Sequence, residues 1–182
     1  MKRKILLAVL AIAVVAVLAV VGVSLWRATT NTEPATDAHV HIDDPRTADP
    51  TLAATGAMTG LLTWEPATQA GPWEAAVAIS DRLTGPLADY AASDGGDEPL
   101  PEKWQVWAEG GDRVRGLASA SPDSRDIPED AEVATVTVDV EQRVQHPSGG
   151  MTPLTRGVVD VTVELVGGNW KASDYTYLSI DY

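Results

Sequence analysis

The sequence predicts an α+β domain carried behind an N-terminal membrane helix. Three observations predict it: a long apolar run near the N-terminus, apolar residues at helical spacing from Leu52 to about Ala92, and a change to a period of two from Trp104 onward. Helices first and a strand meander afterwards indicate α+β rather than a parallel α/β arrangement. The 182 residues leave room for one domain and an anchor.

Ile5 to Trp26 is built almost wholly of Ile, Leu, Ala and Val. As a helix rising about 1.5 Å per residue, these roughly 22 residues span about 33 Å, enough for a bilayer core. A cleaved secretory signal is the competing reading. Its apolar region is shorter, about 7–15 residues, and ends in a small-x-small site. Here the run ends in Ser24-Leu25-Trp26-Arg27, where Trp26 suits the membrane interface. Lys2, Arg3 and Lys4 precede the run and only Arg27 directly follows it. The positive-inside rule then makes residues 1–4 a cytoplasmic stub and 5–26 a single-pass helix of the plasma (inner) membrane. Residues 27–50, rich in Thr, Asp and Pro, have no period and read as a tether. Residues 51–182 form the extracytoplasmic domain.

Charge narrows the partners. The chain holds 13 Lys and Arg against 26 Asp and Glu, a net −13. Four of those cations and none of the acids lie before Ala28, so the remainder carries 9 against 26, or −17. A domain so acidic repels phosphate backbones and anionic lipid headgroups, which argues against a nucleic-acid partner. With no cysteine there can be no disulfide, thiolate zinc site, cysteine nucleophile or lipidated cysteine. Phenylalanine is absent as well, and six Trp and four Tyr supply the aromatic bulk.

Leu52 to Trp64 reads as the first helix, because Ala54, Met58, Leu61 and Leu62 fall on one face. Gly71-Pro72 opens a second helix, with Pro72 where its missing N–H does no harm. Gly85-Pro86 interrupts it, and a short further turn carries Leu87 to Ala92. Residues 93–99 are a polar loop. Trp104 to Ala108 reads as a short strand, followed by turn chemistry in Glu109-Gly110-Gly111-Asp112. Strands follow over Val114 to Ala120, Glu132 to Gln145, Leu154 to Val166 and Trp170 to Leu178. Val136, Val138 and Val140 face one way, as do Val159, Val161, Val163 and Leu165, while Asp139, Glu141, Asp160 and Glu164 face the other. That alternation predicts an antiparallel sheet with one wet face.

Few residues offer chemistry. His39, His41 and Asp43 share one side of an extended segment, but a Pro-flanked tether lacks the rigid supporting shell a metal needs. No metal and no cofactor is expected. Gly95-Gly96 lacks a following Lys and sits among acids, unlike a phosphate loop. The spacing of Gly56 and Gly60 points to close helix packing. In a strand, Trp104 and Trp107 have opposite parity, which predicts at least one exposed indole and makes the pair the candidate partner interface.

The order of elements resembles the cone-shaped nuclear transport factor 2-like superfamily, within it the exported actinobacterial Mce-associated membrane proteins and the inner-membrane assembly factors of type IV secretion and conjugation. The local marks are Asp81-Arg82-Leu83-Thr84-Gly85-Pro86-Leu87-Ala88-Asp89-Tyr90 and Gly167-Gly168-Asn169-Trp170-Lys171-Ala172-Ser173. The likeness spans about Thr51 to Leu178, and its motifs are structural. It implies a curved antiparallel sheet and a non-enzymatic scaffold or assembly subunit of a cell-envelope transport or conjugation complex. Its partners would be envelope membrane-protein subunits, and pairing of two copies fits such domains. Relatives that are isomerases or cyclases place a carboxylate inside the cone near a hydrogen-bond donor. Here Asp81, Asp89 and Tyr90 are the residues that could line it. The alternative function is an extracytoplasmic domain binding a small, lipid-like molecule.

Overall fold

The computed structural model describes residues 47–95 and 98–182. The expected stub, the apolar run Ile5 to Trp26 and His39, His41 and Asp43 all lie outside the described residues. Among the described residues, no helix is long and apolar enough to cross a membrane.

The folded body begins before the expected boundary. Thr47 is buried and its hydroxyl donates to the Asn169 side-chain oxygen at 2.9 Å. Asp49 then caps helix α1 (Pro50–Leu61), accepting from the Thr51 and Leu52 amides at 2.8 and 3.1 Å. Pro50 occupies the first helical position, where no amide hydrogen is required. Residues 47–50, expected to belong to a tether, are therefore part of the folded body, because Asp-Pro starts a helix here rather than closing a linker.

Helix α2 (Trp73–Ala78) is followed by a 3-10 turn (Ser80–Arg82). Leu83 bridges to Ala172, and the Thr84 amide donates to the Ala172 carbonyl at 2.9 Å. Helix α3 (Gly85–Ala92) starts at Gly85-Pro86. The dipeptide expected to interrupt a helix instead opens one, Gly85 supplying a φ of +50° and Pro86 sitting in the first turn.

The segment expected as the first strand is helix α4 (Trp104–Gly110). Gly111 takes a φ of +69°, and the Asp112 amide returns to the Trp107 carbonyl at 2.9 Å. Glu109-Gly110-Gly111-Asp112 thus ends a helix instead of turning a hairpin, two roles that share the same need for positive φ. Residues three apart share a helix face, so both indoles point inward. Trp104 is 2% and Trp107 6% exposed. The expected exposed Trp does not exist at either position, and the pair is not a surface hot spot.

Four strands follow: β1 (Arg113–Ala120), β2 (Val133–Gln145), β3 (Met151–Val166) and β4 (Asn169–Asp181). They pair antiparallel in the order β1-β2-β3-β4, as the meander predicted. Gly167 and Gly168 both take positive φ, as a two-residue hairpin turn between β3 and β4 requires. Val136 pairs with Val161 and Val138 with Val159, all fully buried. Leu165 keeps the inward parity but lies next to that turn and is 40% exposed, contrary to expectation.

Three register shifts re-aim side chains. One near Gln142 and Arg143 leaves Leu154 as the extra residue of β3. Two more make Ser173 and Leu178 the extra residues of β4, so that Ala172, Tyr175, Tyr177 and Ile180 all stay on the inner face. Such bulges bend a sheet and increase its twist. Helix α1 lies against the inner face and reaches all four strands. Its Ala53, Ala54, Ala57 and Met58 are small or pliant enough to seat on the valines. Gly116 of β1 permits the closest approach. A Cβ there would stand 2.7 Å from the Thr59 carbonyl oxygen and 2.8 Å from the Leu62 Cβ. The outer face is polar, with Arg143 paired to Glu141 at 2.8 and 3.0 Å and Thr137 donating to Asp160 at 2.7 Å.

Candidate ligand cavity

Where α1 ends, a cavity of about 680 Å³ opens over the inner face of the sheet. The stripe of inward valines on β2 changes chemistry at the same level. Val140 is followed at the next inward position by Gln142, which is only 5% exposed. The Gln142 amide nitrogen donates to the Leu62 carbonyl at 2.9 Å, and its oxygen accepts from the Thr155 hydroxyl at 3.0 Å. Both polar ends are therefore satisfied, and the side chain is held as a fixed floor.

The walls are mostly apolar and aromatic. Leu61, Leu62 and Trp64 come from the end of α1 and the residues after it, Trp107 from α4, and Leu154 from the β3 bulge. Trp64 is fixed by its indole N–H on the Leu61 carbonyl at 2.8 Å and by a tilted contact with Trp104, centroids 6.0 Å apart. On the other side stand Leu87 and Tyr90 of α3 and Tyr175, Tyr177 and Ile180 of β4. The two tyrosines meet edge to face at 5.7 Å, a stable aromatic geometry. Pro72, Pro86, Pro99 and Pro101 complete the rim and bring no backbone N–H that would need a partner.

Two carboxylates also line the cavity, Glu98 and Asp174. Glu98 accepts from the Tyr90 hydroxyl at 2.9 Å. Asp174 accepts from the Tyr175 amide at 2.8 Å. Burial pushes the Tyr177 hydroxyl up to about 12, with Tyr175 and Tyr182 adding to the effect. Tyr90 is raised first by burial and then by its bond to Glu98 and that group's charge. Burial raises Tyr175 as well, followed by the charges of Glu98 and Asp174. These three phenols are protonated at neutral pH, and the charges that act on Tyr90 and Tyr175 are carboxylates.

Tyr90, expected to line a cone, does line this cavity. Asp81 does not: it is exposed in the 3-10 turn, because the chain leaves the helix at Leu83 to bridge with β4. Asp89 is exposed on α3. The carboxylate that faces Tyr90 is Glu98, which sequence reasoning assigned to a solvated loop. Gln142 was also missed, although it shares parity with Val136, Val138 and Val140 and so carried a readable signal.

A second depression, about 650 Å³, lies along Leu117, Asp139, Glu141 and Arg156 and has no aromatic wall. Its Glu141 is engaged by Arg143, which lowers its pKa first of all through their hydrogen bond. Apart from both, His146 bridges Asp112 through Nδ1 and Thr152 through Nε2, each at 2.9 Å. A carboxylate can only accept, so Nδ1 carries the proton toward Asp112, while Nε2 shares a hydrogen bond with the Thr152 hydroxyl. The arrangement ties the β2–β3 turn to the end of α4. Among the described residues no group of three or more His, Cys, Asp or Glu could hold a metal ion.

No family model matches the chain, and neither a curated protein nor a solved structure matches it.

Proposed function

We propose that this chain is a membrane-tethered, extracytoplasmic domain of the nuclear transport factor 2-like kind, and that it binds a small, largely apolar molecule without transforming it. The observation that carries the reading is the cavity itself: about 680 Å³, walled by Trp64, Trp107, Tyr90, Tyr175 and Tyr177 over a fixed Gln142 floor. Ligand sites typically enclose about 300–1,000 Å³, mostly apolar with a few placed polar groups. The bulged sheet with a helix on its inner face supports the cone-like fold, and the apolar run Ile5 to Trp26 supports the tether.

A thermal-shift screen of the full chain with lipids, steroids and small aromatics tests this. A ligand present at about 100 times its Kd stabilises by about 2.7 kcal/mol, which raises Tm by about 8 °C or more for a domain of this size. Tyr177→Ala should remove most of that shift. If nothing in the screen moves Tm, the ligand reading fails.

One observation favours the second reading, a scaffold or assembly subunit of an envelope complex. Strand β4 is an edge strand that exposes Leu178 at 58%, and Tyr182 directly after it is 95% exposed. Crosslinking in intact membranes would recover envelope subunits, or a second copy, through β4. The isomerase reading has lost the carboxylates proposed for it, since Asp81 and Asp89 lie outside the cavity.

A further inference from the structure

The cavity's lining is electrically one-sided. Glu98 and Asp174 line its exposed edge, and among the described residues no Lys, Arg or His lines it. Aromatic rings line the same space: Trp64 and Trp107 on one wall, Tyr175 and Tyr177 on the other. The negative face of an aromatic ring attracts a cation, and desolvation strengthens that attraction. A bound anion would meet two carboxylates and no counter-charge. A neutral ligand would gain nothing from the two carboxylates, both of which are exposed at the edge of the cavity.

We infer that the ligand is an organic cation with an apolar body, such as an alkyl or aryl ammonium, whose charged end lies among Glu98, Asp174 and the tyrosine faces while its body rests on Trp64 and Trp107. This rests on the cavity reading above and adds the sign of the ligand's charge to it. The geometry assigns separate tasks to the lining. Glu98 has one oxygen on Tyr90 and keeps acceptor capacity for an N–H donor or a quaternary centre. Asp174 lies on the same strand as the ring pair and is exposed, so it guides the charge at the mouth. Gln142 is fully engaged with Leu62 and Thr155, so the deep end offers shape more than hydrogen bonds. The domain's surplus of acids raises the local concentration of such a cation. The upward shifts of Tyr90 and Tyr175 agree with a negative potential inside the cavity.

Three water-soluble probes with one ring and different heads separate the claims: benzyltrimethylammonium, benzyl alcohol and benzenesulfonate. Each is titrated into the full chain in neutral-lipid nanodiscs and followed by tryptophan fluorescence. The ammonium should bind about tenfold more tightly than the alcohol, with the sulfonate weakest. In the Glu98→Gln, Asp174→Asn double variant the ammonium-to-alcohol ratio should fall to about threefold or less. Both substitutions preserve the acceptor oxygens that Tyr90 and the Tyr175 amide use. Equal binding of ammonium and alcohol, or tightest binding of the sulfonate, overturns the inference while the cavity reading survives. A cation preference unchanged in the double variant removes these carboxylates from the site. Failure of all three probes in the wild-type chain overturns the cavity reading as well.

Discussion

Replacing Gln142 with Leu tests whether one buried amide joins the end of α1 to the sheet. The amide nitrogen donates to the Leu62 carbonyl at 2.9 Å, and Leu62 is the residue at which α1 ends. Carbonyls in the last turn have no partner within the helix, so this bond satisfies an otherwise orphaned acceptor. Leaving such a group unpaired in a buried site costs about 1–3 kcal/mol, and the added apolar surface of Leu offsets about 1 kcal/mol. The net expectation is a loss of up to about 2 kcal/mol, read as a lower urea midpoint with an unchanged m-value. Thr155→Val removes only the hydroxyl that donates to the Gln142 oxygen at 3.0 Å and should cost about 1 kcal/mol or less. With Leu at 142 that hydroxyl has no amide to serve, so the double variant should be scarcely less stable than Gln142→Leu alone. The two changes should therefore couple by up to about 1 kcal/mol. Strict additivity, or a Gln142→Leu variant more stable than the wild type, would refute the reasoning, because the amide would then be solvated rather than joining two elements.

Two further outcomes follow from the same packing. Trp107→Ala should cost about 3–5 kcal/mol in chemical denaturation, since the indole is 6% exposed and packs with Val114 and Val144. A loss under about 1 kcal/mol would instead fit a solvent-facing Trp. Alkaline titration should show the raised Tyr177. Between about pH 10 and about pH 12 the unfolded tyrosine gives up its proton and the folded one keeps it. Its contribution to stability is thus complete below about pH 10 and is lost as pH rises through the folded value. Absorbance titration of the folded protein should lose a tyrosinate component near pH 12 in Tyr177→Phe, and a folded chain whose tyrosines all ionise near pH 10 would contradict it.

The sheet was legible in the sequence because its physics is local and repetitive. Alternation at Val136, Val138 and Val140 and again at Val159, Val161 and Val163 can be satisfied only by strands with one buried face. Two positive-φ glycines between β3 and β4 left little choice of turn. Lys103 to Asp112 was misread for an equally physical reason. Seven residues fit two strand turns or two helical turns, and Gly110-Gly111 serves as a hairpin or as a helix cap. What decides between them is tertiary: Trp64 offers Trp104 a ring contact, and Val114 and Val144 offer Trp107 a buried seat. Both exist only on a helical face. Asp49-Pro50 carried a local helix-start signal, yet the Thr, Asp and Pro composition around it concealed that signal.

The cavity was harder to read, because none of its defining features is periodic. Alternation places Tyr175 and Tyr177 on one face, but only the bulge at Ser173 makes that the inner face, and a bulge leaves no mark in a run such as Lys171-Ala172-Ser173-Asp174. Glu98 sits among acids that look like solvent-facing loop. Its meaning appears only when Tyr90, eight positions earlier, is found 2.9 Å away. Asp81 and Asp89 show the converse: named as acids that could line a cone, both are exposed, Asp81 in the 3-10 turn before the Leu83 bridge and Asp89 on α3. A carboxylate's role here depends on which way an irregular connection rotates it. That rotation is fixed by backbone bonds between elements 89 residues apart, Leu83 with Ala172, which no local window contains. The same long-range bonds place α3 against β4 and bring Tyr90 opposite Tyr175. Changes that loosen the Leu83–Ala172 bridge should therefore act on the cavity before they act on the valine core, which lies under α1 and is held by strand pairs of its own.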